Sequence, residues 1–121
     1  MGITYLAQNL FAPYLLPSPV VPEVNHATHT ISDGRTEVTT AGTRVPLVAS
    51  STPAKWVEIT AETNNTGFIV VGGATVVAAL ATRQGRPLSA GDSVVYPVDD
   101  LADIYLDATV NTEGVTYVYG N

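Results

Sequence analysis

The sequence predicts an all-β domain, a β-sandwich or jelly-roll-like fold, preceded by an extended N-terminal arm that carries a short helix. Three observations lead there. Val supplies 17 of the 121 residues and Thr 16, and β-branched side chains suit pleated strands better than helices. Gly and Pro, 10 and 8 in number, recur at short intervals between apolar runs, the punctuation of many short strands. The length gives room for one modest core and strains to hold two domains.

Residues 1–35 read as the arm and 36–121 as the sandwich. In the arm, Ile3, Leu6, Ala7, Leu10 and Phe11 fall at i, i+3, i+4, i+7 and i+8, the spacing of one helix face, and Pro13 stops the pattern. A helix of about two turns does not persist in water unless its apolar stripe docks on something. From Pro13 to Pro22 a proline-spaced run carries Tyr14, Leu15, Leu16, Val20 and Val21; it is expected to be extended and a poor donor to any sheet. Helix and arm either fold back over their own domain or dock on another chain, with Ile3, Leu6, Leu10, Phe11, Tyr14, Leu15 and Leu16 as the contact residues.

In "KWVEITAET" Val57, Ile59 and Ala61 share one face and Trp56, Glu58, Thr60 and Glu62 the other, a half-buried strand. "NNTG" turns the chain. "GFIVVGG" and "TVVAAL" are apolar on both faces, as expected of central strands or of strands whose outer face meets a neighbour. "LSAGDSVVYPV" opens with a Gly-Asp turn and continues as a strand with Val94, Tyr96 and Val98 on one side. Pro97 marks that strand as an edge or an ending. "GVTYVYGN" places Val115, Tyr117 and Tyr119 together.

Asp99, Asp100, Asp103 and Asp107 crowd into nine positions of a chain with 11 acids. If "DIYLDAT" is a strand, Ile104, Leu106 and Ala108 point inward, Asp103, Tyr105 and Asp107 outward, and Asp103 and Asp107 lie about 13 Å apart, too far for one ion. As a helix the same segment stacks unpaired like charges at i and i+4, and Asp99-Asp100 after Pro97 is turn chemistry. The expectation is a solvated strand face with a turn. A calcium loop of the Asp-x-Asp-x-Asp-Gly kind does not occur. The two histidines, His26 and His29, lie in the arm at the wrong spacing for a metal-binding jelly roll, and "VVGGATV" lacks the Gly-x-Gly-x-x-Gly pattern of a phosphate cradle. No nucleophile-elbow pattern occurs either. No catalytic residue, metal or cofactor is expected.

The composition excludes further classes. A formal charge of −6 with one Lys supplies no basic face for nucleic acid or an anionic membrane. Prolines interrupt the apolar N-terminus before it is long enough to span a bilayer, and the positive start of a signal peptide is lacking. Without cysteine there is no disulfide staple, so oligomerisation is one expected source of stability. What stands out is apolar and aromatic surface. Trp56 shares its outward face with Glu58 and Thr60, and Tyr105 sits between two outward acids, both in the manner of interface anchors, unless a second sheet or the arm covers them.

The succession "RVPLVASSTPAKWVEI", "NTGFIVVGG", "RPLSAGDSVVYPVDDLADIYLDA" and "GVTYVYGN" resembles small structural proteins of tailed bacteriophages. The resemblance covers about residues 44–121 and rests on the order and spacing of the pieces; Leu101, Ile104, Tyr105, Asp107 and Ala108 match the most characteristic one. It implies a non-enzymatic β-sandwich or jelly-roll in the virion. The leading form is a trimeric decoration (cement) protein on the capsid surface, bound to the major capsid protein, to another virion protein or to a neighbouring copy. The alternatives are a tail, baseplate or fibre module, and a carbohydrate-binding sandwich that would use Trp56, Tyr105, Tyr117 and Tyr119 as stacking platforms.

Overall fold

The computed structural model describes residues 30–121, and in them the expected sandwich is present: two antiparallel four-stranded sheets packed face to face. The strands are β1 (Ile31–Val38), β2 (Val45–Pro46), β3 (Trp56–Ala61), β4 (Ile69–Gly72), β5 (Arg86–Leu88), β6 (Ser93–Pro97), β7 (Tyr105–Ala108) and β8 (Glu113–Gly120), with single 3-10 turns at Leu80–Thr82 and Leu101–Asp103. Sheet I has the order β1-β8-β3-β6 and sheet II the order β2-β7-β4-β5. The arm residues 1–29, with the helix stripe and the proline-spaced run, lie outside the described residues.

The core lies between the sheets. From sheet I come Val57, Ile59, Ala61, Val94, Val115 and Tyr117, and from sheet II Ile69, Val71, Leu88, Leu106 and Ala108, with Leu47 and Leu101 closing it from connections. Each fully buried Leu or Ile contributes about 1.5–3 kcal/mol relative to an exposed one. The period-2 pattern in β3 and β8 places the expected residues inward, because one residue of slip would turn the whole apolar set to solvent. The Gly-Asp turn before β6 also forms: Gly91 has φ +85° and the Asp92 carboxylate accepts the Ser89 N–H at 3.1 Å. Pro97 ends β6, an edge strand of sheet I.

Two segments differ from their sequence reading. The division between residues 35 and 36 falls inside β1, which pairs with β8 from Ile31 to Val38 without interruption. Its sequence, ISDGRTEV, carries a weak strand signal because an edge strand buries little. Gly34 is needed there for space, since a Cβ at that position would run into the Tyr117 phenol.

The second difference is "TVVAAL", which is not a core strand. Residues 73–84 leave β4, cross the outer face of sheet II and return into β5. They are held by a reciprocal pair of backbone hydrogen bonds between Val77 and Gln84, at 3.0 and 2.9 Å, and by two arginines. Arg44 Nε donates to the Val76 carbonyl and Arg83 Nε to the Ala78 carbonyl, each at 2.9 Å. Val76 and Ala78 are buried with Val70, and Tyr105 packs against them. The second apolar face of β4 is therefore covered by the chain itself. A fold-back of this kind reads like a strand in sequence, since both bury alternate residues.

Candidate functional site

The structure separates the four clustered acids. Asp99 and Asp103 are exposed. Asp100 caps the 3-10 turn: its carboxylate accepts the Thr52 and Ala102 N–H groups, both at 2.9 Å, and the Ser51 hydroxyl at 2.7 Å. The Thr52 and Ala102 N–H groups, with help from Ser51, hold this carboxyl below the usual aspartate range.

Asp107 corrects the reading of a solvated face. It points away from the sandwich core, as the alternation requires, yet is only 3% exposed, because residues 73–84 lie over it. One carboxylate oxygen accepts the Ala78 N–H at 2.9 Å, and the other accepts Gly42 N–H at 3.0 Å and its neighbour Ala108 N–H at 2.8 Å. A buried carboxylate with these partners is a structural clamp that ties the 73–84 segment and the 39–44 loop to β7.

A second buried carboxylate, Glu113 (4% exposed), opens β8 and was not singled out in the sequence. It accepts the Thr66 N–H at 2.9 Å and the Gly67 N–H at 3.0 Å. Beside it the Asn65 side chain donates to the Gly114 carbonyl at 2.9 Å and accepts the Gly114 N–H at 3.1 Å. The "NNTG" turn is thus pinned to a strand more than 45 residues away. The available signal was a lone Glu opening an otherwise apolar strand. Arg35 and Glu62 form the one ion pair among the described residues, across β8 on the exposed side of sheet I. Glu62 raises the Arg35 pKa by hydrogen bond and charge.

No three His, Cys, Asp or Glu side chains among the described residues gather around a point that a metal ion could occupy. His26 and His29 lie outside those residues. No described helix is long and apolar enough to cross a membrane.

Two features remain for binding. One is the outer face of sheet I. Register sets Glu58 between Val95 of β6 and Val118 of β8, and these valines are 58% and 38% exposed. The next row across the sheet is Ile31, Gly120, Trp56 and Pro97; Ile31 is 69% exposed and Trp56 half-buried. The other feature is a groove of about 560 Å³ where the two sheets part at the end of β4 and β6, lined chiefly by Val71, Gly72, Tyr96, Pro97, Val98 and Ile104. Arg86 and Asp103 are its charged members.

The two aromatic anchors expected from the sequence are not brought together. Trp56 lies on the outer face of sheet I, whereas Tyr105 lies on the outer face of sheet II under residues 73–84. Tyr117 is in the core and Tyr119 packs against it, their ring centroids 6.0 Å apart. These four rings therefore do not form a common stacking platform. The other expected contact residues, Ile3, Leu6, Leu10, Phe11, Tyr14, Leu15 and Leu16, lie outside the described residues.

No family model matches the chain, and comparison with the curated proteins gave no match. Among solved structures the chain is similar to one described as "Bacillus endospore appendages form a novel family of disulfide-linked pili", with 14% identity over 75% of this chain and 87% of that chain and a TM-score of 0.42. A likeness of that depth transfers neither fold detail nor function, and the disulfides named there have no counterpart in this cysteine-free sequence.

Proposed function

We propose that this chain is a non-enzymatic structural protein of a virion, a decoration protein that stabilises a capsid through protein–protein contacts. The observation that supports it is the division of labour among side chains. The buried carboxylates Asp107 and Glu113 each hold the chain's own backbone, while apolar side chains stand open on the outer face of sheet I. A surface that adds apolar area across a subunit boundary suits a shell-stabilising role. The resemblance of residues 44–121 to small phage structural proteins supports a virion setting, of which the capsid surface is the leading form.

In this reading the partner is the major capsid protein or another virion protein. The stripe of Ile3, Leu6, Leu10 and Phe11 is the anchor, and the face bearing Val95 and Val118 is a second contact. In the two-faced apolar run, the outward Val70 of "GFIVVGG" is covered by Val76 and Ala78 of "TVVAAL" within the same chain, so that packing needs no second copy. In this reading a homo-oligomer uses the open face of sheet I, where Val95 and Val118 are exposed, and light scattering at micromolar concentration tests it.

The deciding experiment is co-sedimentation with purified particles, paired with melting curves of the free protein. Leu10→Ala with Phe11→Ala removes about 3–6 kcal/mol of burial and is expected to weaken attachment by roughly two to four orders of magnitude while leaving the melt unchanged. Normal occupancy by the double variant overturns the anchor. Gold labelling on the tail instead of the shell would replace the capsid reading by that of a tail or fibre module.

A further inference from the structure

The groove is flanked by an edge strand of each sheet, yet those edges disfavour the addition of a further strand. The two edge strands beside it, β5 and β6, carry Pro87 and Pro97, and each proline removes a backbone donor that strand addition would use. What the groove offers instead is side-chain surface from Tyr96, Pro97 and Val98, over a floor formed by the buried Val71 and Ile104. Aromatic- and proline-lined grooves of this type take extended, proline-spaced segments, which bring apolar side chains without needing a hydrogen-bond ladder.

The chain contains one such segment, Pro13–Pro22 (PYLLPSPVVP), and the topology brings its attachment point close. Ile31, the first residue of β1, shares one row of sheet I with Gly120, Trp56 and Pro97, and Pro97 lines the groove. Three inter-strand steps separate Ile31 from Pro97, about 14 Å, and reaching between the sheets adds about half of the ~10 Å sheet separation. Residues 23–29 connect the segment to Thr30; seven residues span up to about 23–25 Å when extended. The tether is therefore long enough to reach its own groove and short enough to give a high effective concentration there.

We infer that the groove at the β4 and β6 ends is the docking site for the proline-spaced segment 13–22 of the same chain. Seated there, the segment brings the apolar side chains of Leu15, Leu16, Val20 and Val21 to the groove's Tyr96, Pro97 and Val98. It would also fix the direction in which the stripe of Ile3, Leu6, Leu10 and Phe11 leaves the domain. This inference does not depend on the virion reading.

Because the sequence has no cysteine, pairwise cross-linking in the full chain is a clean test. Gly73 lines the groove, and a Cβ added there meets nothing within 4 Å, so Gly73→Cys is compatible with the fold. Paired in turn with Leu15→Cys and Leu16→Cys, it is expected to give a disulfide under mild oxidation, at single-chain mass on a non-reducing gel. At least one pair should form roughly tenfold faster than the corresponding pair with Thr43→Cys, an exposed site at the opposite end of the sandwich. Melting curves of the reduced variants show that each is folded, and Asp103→Cys, also in the groove, repeats the test if Gly73→Cys is not. Equal rates at the two ends, or no groove cross-link in folded protein, overturn the inference. A cross-link found only at dimer mass overturns it too, and assigns the groove to the arm of a second copy.

Discussion

The two outer faces of the sandwich begin from similar sequence and end differently. Sheet II presents Val70, Tyr105 and Asp107 outward, and the chain covers them itself: residues 73–84 bury Val76 and Ala78 on Val70, are braced internally by Arg83, and are fastened through Arg44 and the Asp107 carboxylate. Sheet I presents Trp56, Glu58, Val95 and Val118 outward, and among the described residues no comparable segment crosses it, so Val95 and Val118 stay exposed. The lesson is that outward apolar residues do not by themselves predict a partner. They do so only where the connections of the same chain leave them open.

The largest test of that contrast is Asp107→Ala. It deletes the acceptor for the Ala78 N–H and one of two acceptors for the Gly42 N–H, which keeps the Ala108 carbonyl at 3.2 Å, and hydrogen bonds to a charged group are worth about 1.5–3 kcal/mol each. The expected loss is about 3–5 kcal/mol in denaturant unfolding, with faster amide exchange concentrated in residues 73–84. Asp107→Asn should fall between, since its amide offers one acceptor oxygen where the carboxylate uses two. A near-neutral result would mean that the cover is not fastened by Asp107.

Gly85→Ala attacks the hinge where the cover returns to the sheet. Gly85 has φ +118°, and a Cβ there would lie 2.8 Å from the Val71 carbonyl oxygen and from side-chain atoms of Val70 and Val76. Backbone strain of this kind costs about 1–3 kcal/mol, and the clash adds to it, so a loss of about 2–4 kcal/mol is expected by thermal or chemical melting.

Substitutions on open surface should be nearly silent. Asp103→Asn and Glu58→Ala are each expected to change stability by no more than about 0.5 kcal/mol. Set beside Asp107→Asn, the first separates two acids four positions apart that the sequence alone treats alike. A cost comparable to Asp107→Asn would show that the two environments are not as different as burial makes them.

The smallest expected effect is a pH dependence at Asp100. Its pKa is lowered by the Thr52 and Ala102 N–H groups, whereas in the unfolded chain it returns to about 3.9. The unfolded state therefore binds the proton first, and the stabilisation is complete above about pH 5 and is lost as pH falls through and below about 4. Melting temperatures of parent and Asp100→Asn should differ by a constant amount above that window and converge below it.

The sequence by itself determined the fold class, the inward set of β3, β7 and β8, the Gly-Asp turn and the edge position of Pro97. Each follows from near-neighbour chemistry: side-chain period along a strand, or the conformational bias of Gly, Asp and Pro. Tertiary structure alone decided which outward residues reach solvent. The period-2 reading sets Asp103 and Asp107 on one outward face, but Asp103 ends a 3-10 turn before β7 and is exposed, while Asp107 stands on β7 and is clamped by a segment some 30 residues away. Glu113 and the "NNTG" turn meet for the same kind of reason, across more than 45 residues. The groove also belongs to this class, since its walls come from four separate stretches that share no local pattern. Burial of a group depends on what crosses over it, and a periodic pattern records only the direction in which a side chain leaves its own strand.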